Sequence, residues 1–248
     1  MTRRTWVIMR RELAAFFGGP LAWLLGAIFA GLTGYFFYSE LALFVLAGGA
    51  NLAAGLWPHV FLDIRLVMVL VLPLLTMRLV AEERKLGTFE LLCTLPVRDH
   101  EILAGKYLAV VVVFLAMLAP TGIGPLTLYL WHPFPLGPVA AGYLGLVLLG
   151  LAVLACGLAA STTSENQIVA AMLTYGTLIF LWYVGWNEAA ISSHVTGLVR
   201  GFSLFDHFYN FARGVIDGRS LTYFGGFVGF FLFLALRSLG ARAWRGLP

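Results

Sequence analysis

The sequence predicts an all-α integral membrane protein of six transmembrane helices, forming a single domain over residues 1–248. Three observations carry this reading. Hydrophobic residues make up 60% of the chain and charged residues only 11%, with a mean hydropathy of +0.90, far from the composition of a water-soluble domain. The apolar residues fall in runs of about 20, the length that crosses a bilayer core. The charges collect in the gaps between those runs, where a membrane-embedded chain meets water.

Residues 1–17 come first. Trp6, Met9, Leu13 and Phe16 recur every three or four residues, beside Arg3, Arg4, Arg10 and Arg11. This spacing predicts an amphipathic helix lying in the headgroup region with its arginines toward anionic membrane lipid, rather than a cleaved signal peptide. Spans are expected near residues 20–38, 60–80, 104–130, 139–160, 168–187 and 220–237. In the first, Gly26, Ala30 and Gly34 stand four residues apart and permit close approach of another helix. The stretch from Leu41 to Trp57 is apolar enough for a seventh span. Gly48-Gly49, Asn51 and Gly55 favour an extracytoplasmic interfacial helix or re-entrant hairpin instead.

Basic residues orient such a chain. Arg3, Arg4, Arg10 and Arg11 precede the first span, Arg78, Arg84, Lys85, Arg98 and Lys106 flank the central gap, and Arg237, Arg242 and Arg245 follow the last span. An even number of spans puts all twelve on one face, so both termini are expected in the cytoplasm. The net charge of +4 is thereby explained by topology, and no basic stripe interleaved with aromatics points to nucleic acid. Cys93 and Cys156 both map to the cytoplasmic half and are expected as free thiols.

The densest block of charge, residues 81–100, lies between spans two and three. Glu82-Glu83-Arg84-Lys85 reads as a solvated helix end and Gly87 as a break. Thr88 opens a turn that sets Phe89, Leu92 and Leu95 at helical spacing beside Glu90 and Cys93, until Pro96 stops it. The pattern describes a short amphipathic helix hung between two spans. Residues 188–219 break the span pattern again. Glu188, His194, Asp206, His207, Asn210 and Arg213 alternate there with Phe202, Phe205, Phe208 and Phe211. This predicts short re-entrant or amphipathic helices dipping into the outer leaflet between spans five and six.

Ala81-Glu82-Glu83-Arg84-Lys85-Leu86-Gly87-Thr88-Phe89-Glu90-Leu91-Leu92, with Leu95-Pro96-Val97 and Gly105-Lys106, resembles the cytoplasmic loop of ABC-2 type exporter permeases. Phe202 to Phe208, with Phe211 and Arg213 to Asp217, is similar to the gliding-motility-type branch of that family. The resemblance implies a transmembrane subunit whose ATP and Mg are bound by a separate ABC ATPase, with no cofactor in this chain. It implies two copies, or one copy and a homologous permease, in a bacterial inner membrane. Glu82, Glu83, Gly87, Thr88, Phe89, Glu90, Leu92 and Pro96 would then couple to the ATPase, Phe89 and Leu92 as apolar knobs. Phe205, Asp206, His207, Phe208, Phe211 and Arg213 would form an extracytoplasmic gate.

Other classes find less support. Gly105-Lys106 lacks the first glycine of a phosphate loop, where His100 stands. Gly201-Phe202-Ser203-Leu204-Phe205 lacks the closing glycine of a nucleophile elbow. No His-Glu-x-x-His spacing occurs, so neither an intramembrane enzyme nor a resident metal is expected. His59, His132, His194 and His207 all map outside, which leaves a haem- or copper-handling permease as an alternative. A scaffold of an assembly or motility machine is another. Intramembrane polarity is sparse, and Asp63 and Arg65, two apart, face different sides of a helix. Such a lining suits an amphiphilic or hydrophobic substrate.

Overall fold

A computed structural model describes residues 3–49, 55–88, 97–186 and 203–243. Among the described residues every regular element is helical. In chain order they are α1 Arg3–Gly18, α2 Pro20–Leu46, α3 Trp57–Thr76, α4 Arg78–Lys85 and α5 Asp99–Leu118. A 3-10 turn Ala119–Gly122 follows, then α6 Ile123–Trp131, α7 Leu136–Thr163, α8 Gln167–Trp186, α9 Leu204–Ala212 and α10 Gly218–Ala243. Five stretches of the described residues are long and apolar enough to cross a membrane: Pro20–Leu46, Trp57–Lys85, Asp99–Trp131, Leu136–Thr163 and Gly218–Gly240. The chain is a multi-pass helical membrane protein.

The bundle is organised around α7. Of its apolar stretch 72% is buried, against 22% for α2 and 17% for α10, so the outer helices turn apolar faces away from the chain. Three glycines explain how neighbours reach α7 so closely. A Cβ on Gly142 would stand 2.1 Å from the ring of Phe61 on α3, and one on Gly150 2.3 Å from the ring of Phe114 on α5. A Cβ on Gly157 would fall 2.0 Å from Thr76 Oγ1 at the end of α3.

Two spans are interrupted. Pro73 removes a backbone donor inside α3, and four residues on, at Met77, α3 gives way to α4. Pro120 does the same beyond α5, where the predicted span 104–130 becomes α5, a 3-10 turn and α6. There the Thr121 hydroxyl donates to Leu118 O at 2.7 Å and lies 3.2 Å from the hydroxyl of Tyr143.

The first span differs from expectation. α2 runs on to Leu46, and Gly48 N and Gly49 N turn back onto Val45 O and Phe44 O at 3.1 and 3.0 Å. Leu41 to Leu46 is therefore the end of the first span and not a separate hairpin; residues 50–54 lie outside the described residues. α1 is helical as expected, but its buried stripe is Thr5, Ile8, Met9, Glu12 and Phe16, while Trp6 is 53% exposed. The stripe shifts because α1 lies against protein. A Cβ on Gly105 of α5 would stand 2.8 Å from Ile8 Cγ2.

Candidate coupling face and outer helix

At one end of the bundle α1, α4 and the start of α5 meet around a buried charge. Lys106 has no exposed surface. Its Nζ donates to Glu12 Oε1 at 3.0 Å and to Leu79 O at 2.8 Å. It also lies 2.8 Å from Glu83 Oε2, close enough for an ion pair though not aligned as a hydrogen bond. Arg11 reaches Glu12 at 2.8 Å and Glu83 at 2.5 Å. Burial pulls the Arg11 guanidinium down, and its bonds and charge interactions with the two carboxylates outweigh that, so its pKa is held above the ordinary value. Two cations thus share two carboxylates contributed by α1 and α4. Arg4 adds a longer contact to Glu101 at 3.8 Å.

The same end fastens α4 to α7. Ser161 Oγ accepts from Val80 N at 3.0 Å and Ala81 N at 3.1 Å, and donates to Met77 O at 3.1 Å. It fills the break between α3 and α4, satisfying amides that a new helix leaves without partners. Thr162 O accepts from Arg84 and, at 3.0 Å, from Ser238 of α10. α3, α4, α7 and α10 are thereby joined at one level.

The expected coupling residues divide at Thr88. Glu82 pairs with Arg78 one turn back at 2.9 Å, and Glu83 joins the Lys106 cluster. Gly87 ends α4 with a φ of 71°, a backbone state that suits glycine. The Thr88 hydroxyl donates to Glu83 O at 3.2 Å. Phe89, Glu90, Leu92, Cys93 and Pro96 lie outside the described residues. The chain resumes before α5, where Glu101 Oε2 accepts from Arg98 N at 3.2 Å and caps the helix start.

At the opposite end lies α9. Ser203 caps it, its hydroxyl accepting from Asp206 N at 3.3 Å. Phe208 and Phe211 are fully buried and anchor α9 to the bundle. His207 Nδ1 is 3.0 Å from Ser220 Oγ of α10, and its ring stacks on Tyr223 with centroids 4.2 Å apart. Phe205 is half-buried, with its ring 4.2 Å from that of Trp182 on α8. Asp206 is half-buried too, and Arg213 is exposed, its guanidinium 5.6 Å from the ring of Tyr209. Of the expected gate residues, His207, Phe208 and Phe211 hold α9 in place, while Phe205, Asp206 and Arg213 retain surface. Residues 187–202, including His194, lie outside the described residues.

The family described as ABC-2 family transporter protein matches residues 43–205, about two thirds of the chain. The chain belongs to the ABC-2 transporter family. No curated protein matches it significantly. In this ABC-2 permease the match runs from the end of α2 to the start of α9, taking in α3 to α8. It excludes α1, so the Glu12–Lys106 contact joins a helix outside the matched region to one within it.

Glu12, Lys106 and Ser161 are the residues whose roles sequence reasoning missed. Lys106 served as a topology charge and as part of the family resemblance; Glu12 and Ser161 did not figure at all. The signal for Lys106 was present, because a cation carried into an apolar helix demands a partner. None exists for Ser161, whose role depends on where another span breaks.

Proposed function

We propose that this ABC-2 permease is the membrane subunit of an ATP-driven exporter, powered by a separate ABC ATPase that binds ATP and Mg. The single observation that carries this reading is the ion cluster of Glu12, Glu83, Arg11 and Lys106. It binds the two helices flanking residues 86–98 to each other through α1, so a push on that segment moves the ends of spans two and three together. Such a rigid lever is what a soluble motor needs, and it supports a coupling role for Glu82, Glu83, Gly87 and Thr88, which the resemblance of the loop extends to Phe89, Glu90, Leu92 and Pro96.

In this reading α8 is the sixth span. Its twenty residues rise about 30 Å at 1.5 Å each, enough to cross the hydrocarbon. Both termini face the cytoplasm, and the membrane is the bacterial inner membrane. Two copies, or this chain and a homologous permease, form the unit, meeting through the open apolar face of α2 where Ala30, Gly31 and Gly34 are exposed. The pathway runs between the halves along spans one, two and five, and α9 gates its outer end. The substrate is amphiphilic or hydrophobic. The likeness of residues 202–217 to the gliding-motility-type branch supports that placement within the family.

The test is reconstitution with the cognate ATPase in proteoliposomes. The expected result is a stable complex whose ATP hydrolysis changes with this subunit present. A fully active monomer of this chain beside its ATPase would refute the paired arrangement.

A further inference from the structure

Arg65 of α3 carries a charge into the bundle and forms no ion pair among the described residues, with Asp63 acting on it only at longer range. The ring of Phe205 lies 4.3 Å from its guanidinium carbon, that of Trp182 5.1 Å and that of Phe208 5.9 Å. Aromatic rings stabilise a guanidinium through its face. They do nothing for its five in-plane N–H donors. Among the described residues none of those donors has a hydrogen-bond or ion-pair partner, and Nε is buried. Asp63, two residues away, feels the charges of Glu40 on α2, of His59 and of Arg65, but makes no ion pair with Arg65. Asp206, next to Phe205 on α9, has a buried Oδ2 that is also unpartnered and forms no ion pair with Arg65.

An arginine at such a depth ordinarily pairs with an acid or with backbone carbonyls. Here three rings from two other elements surround the cation and leave its fork unused. The position is open to the outside of the chain: Arg65 is only half-buried, and Leu66 and Leu70 beside it on α3 are exposed. A planar fork of donors matches two oxygens of a phosphate or carboxylate, and the neighbouring exposed leucines match an alkyl chain.

We propose that Arg65, backed by Trp182, Phe205 and Phe208, binds the anionic oxygen group of an amphiphile, phosphate or carboxylate, at the seam of α3, α8 and α9. The proposal rests on the transport reading only in calling that amphiphile a substrate, and it narrows the substrate class to anionic amphiphiles.

Binding is measured on the permease alone, without ATPase, in phosphatidylcholine nanodiscs. The probes are dodecyl phosphate, laurate and neutral dodecyl glucoside, which share one chain length. Wild type is expected to prefer the two anions over the glucoside by about tenfold or more. Arg65→Met abolishes the preference, and Arg65→Lys weakens it because an ammonium has no fork. Phe205→Leu, which keeps the charge and removes a ring, also reduces it and serves if Arg65→Met fails to fold. Inorganic phosphate that displaces dodecyl phosphate at equal concentration assigns the anion site to free phosphate; failure to displace assigns it to the amphiphile headgroup. No anion preference in wild type, or a preference unchanged in Arg65→Met and Phe205→Leu, overturns the proposal. If the preference is present but the anions leave hydrolysis by the assembled ATPase complex unchanged, the site stands and the transport reading of it falls.

Discussion

Glu12 and Lys106 meet at 3.0 Å across α1 and α5, where Lys106 is wholly out of solvent. Removing one partner of a buried pair leaves the other charge unmatched, at about 3–5 kcal/mol. Lys106→Met, which leaves Glu12 and Glu83 with Arg11 as their one remaining cation in the cluster, is therefore expected to lower thermal stability in detergent. Adding Glu12→Gln should restore part of the loss, since the two positions share one interaction. Losses of the two single variants that simply add in the double variant would show that the cluster carries no such coupling.

Ser161 offers a finer test. Ser161→Ala strips partners from Val80 N, Ala81 N and Met77 O. Buried donors left unmatched cost about 1–3 kcal/mol. Amide exchange at Val80 and Ala81 should accelerate while α7 itself stays protected. Unchanged exchange there would mean the break in span two does not need the serine.

The close packing of α7 predicts a steric effect. Gly157→Ala brings a methyl to 2.0 Å from Thr76 Oγ1, and overpacking of this kind costs about 1–3 kcal/mol. Gly34→Ala, at a position where a Cβ would meet nothing within 4 Å, should leave the stability of the isolated chain unchanged. Differential scanning fluorimetry of the two variants side by side checks the contrast.

Much of this architecture is legible in the sequence because a bilayer enforces it. Hydropathy places the spans within a few residues of α3, α7 and α10, since each must present apolar side chains along its full length. The end of the first span was less legible. The expected span stopped at residue 38, but helix α2 runs through the polar Ser39 and Glu40 to Leu46 and turns at Gly48-Gly49. α1 buries Ile8 and Glu12 beside Lys106 and leaves Trp6 exposed, a protein-facing stripe that the recurrence of Trp6, Met9, Leu13 and Phe16 did not mark. At α9 the pattern could not separate the anchors Phe208 and Phe211 from Phe205, whose ring lies 4.3 Å from the Arg65 guanidinium carbon.

Topology can be read with one reagent. Trp131 is 83% exposed at the end of α6, whereas Cys156 is buried and should stay silent. A membrane-impermeant maleimide on intact cells should label Trp131→Cys and spare Cys93. Labelling of Cys93 from outside would overturn the orientation.

The most direct measurement is on residues 89–92. A large apolar side chain buried at an interface contributes about 1.5–3 kcal/mol, or roughly tenfold or more in affinity. Phe89→Ala and Leu92→Asp should each insert normally, while co-purifying less ATPase and losing transport-coupled hydrolysis in proteoliposomes. Wild-type docking and hydrolysis in both variants would contradict the account of this chain as a motor-driven permease.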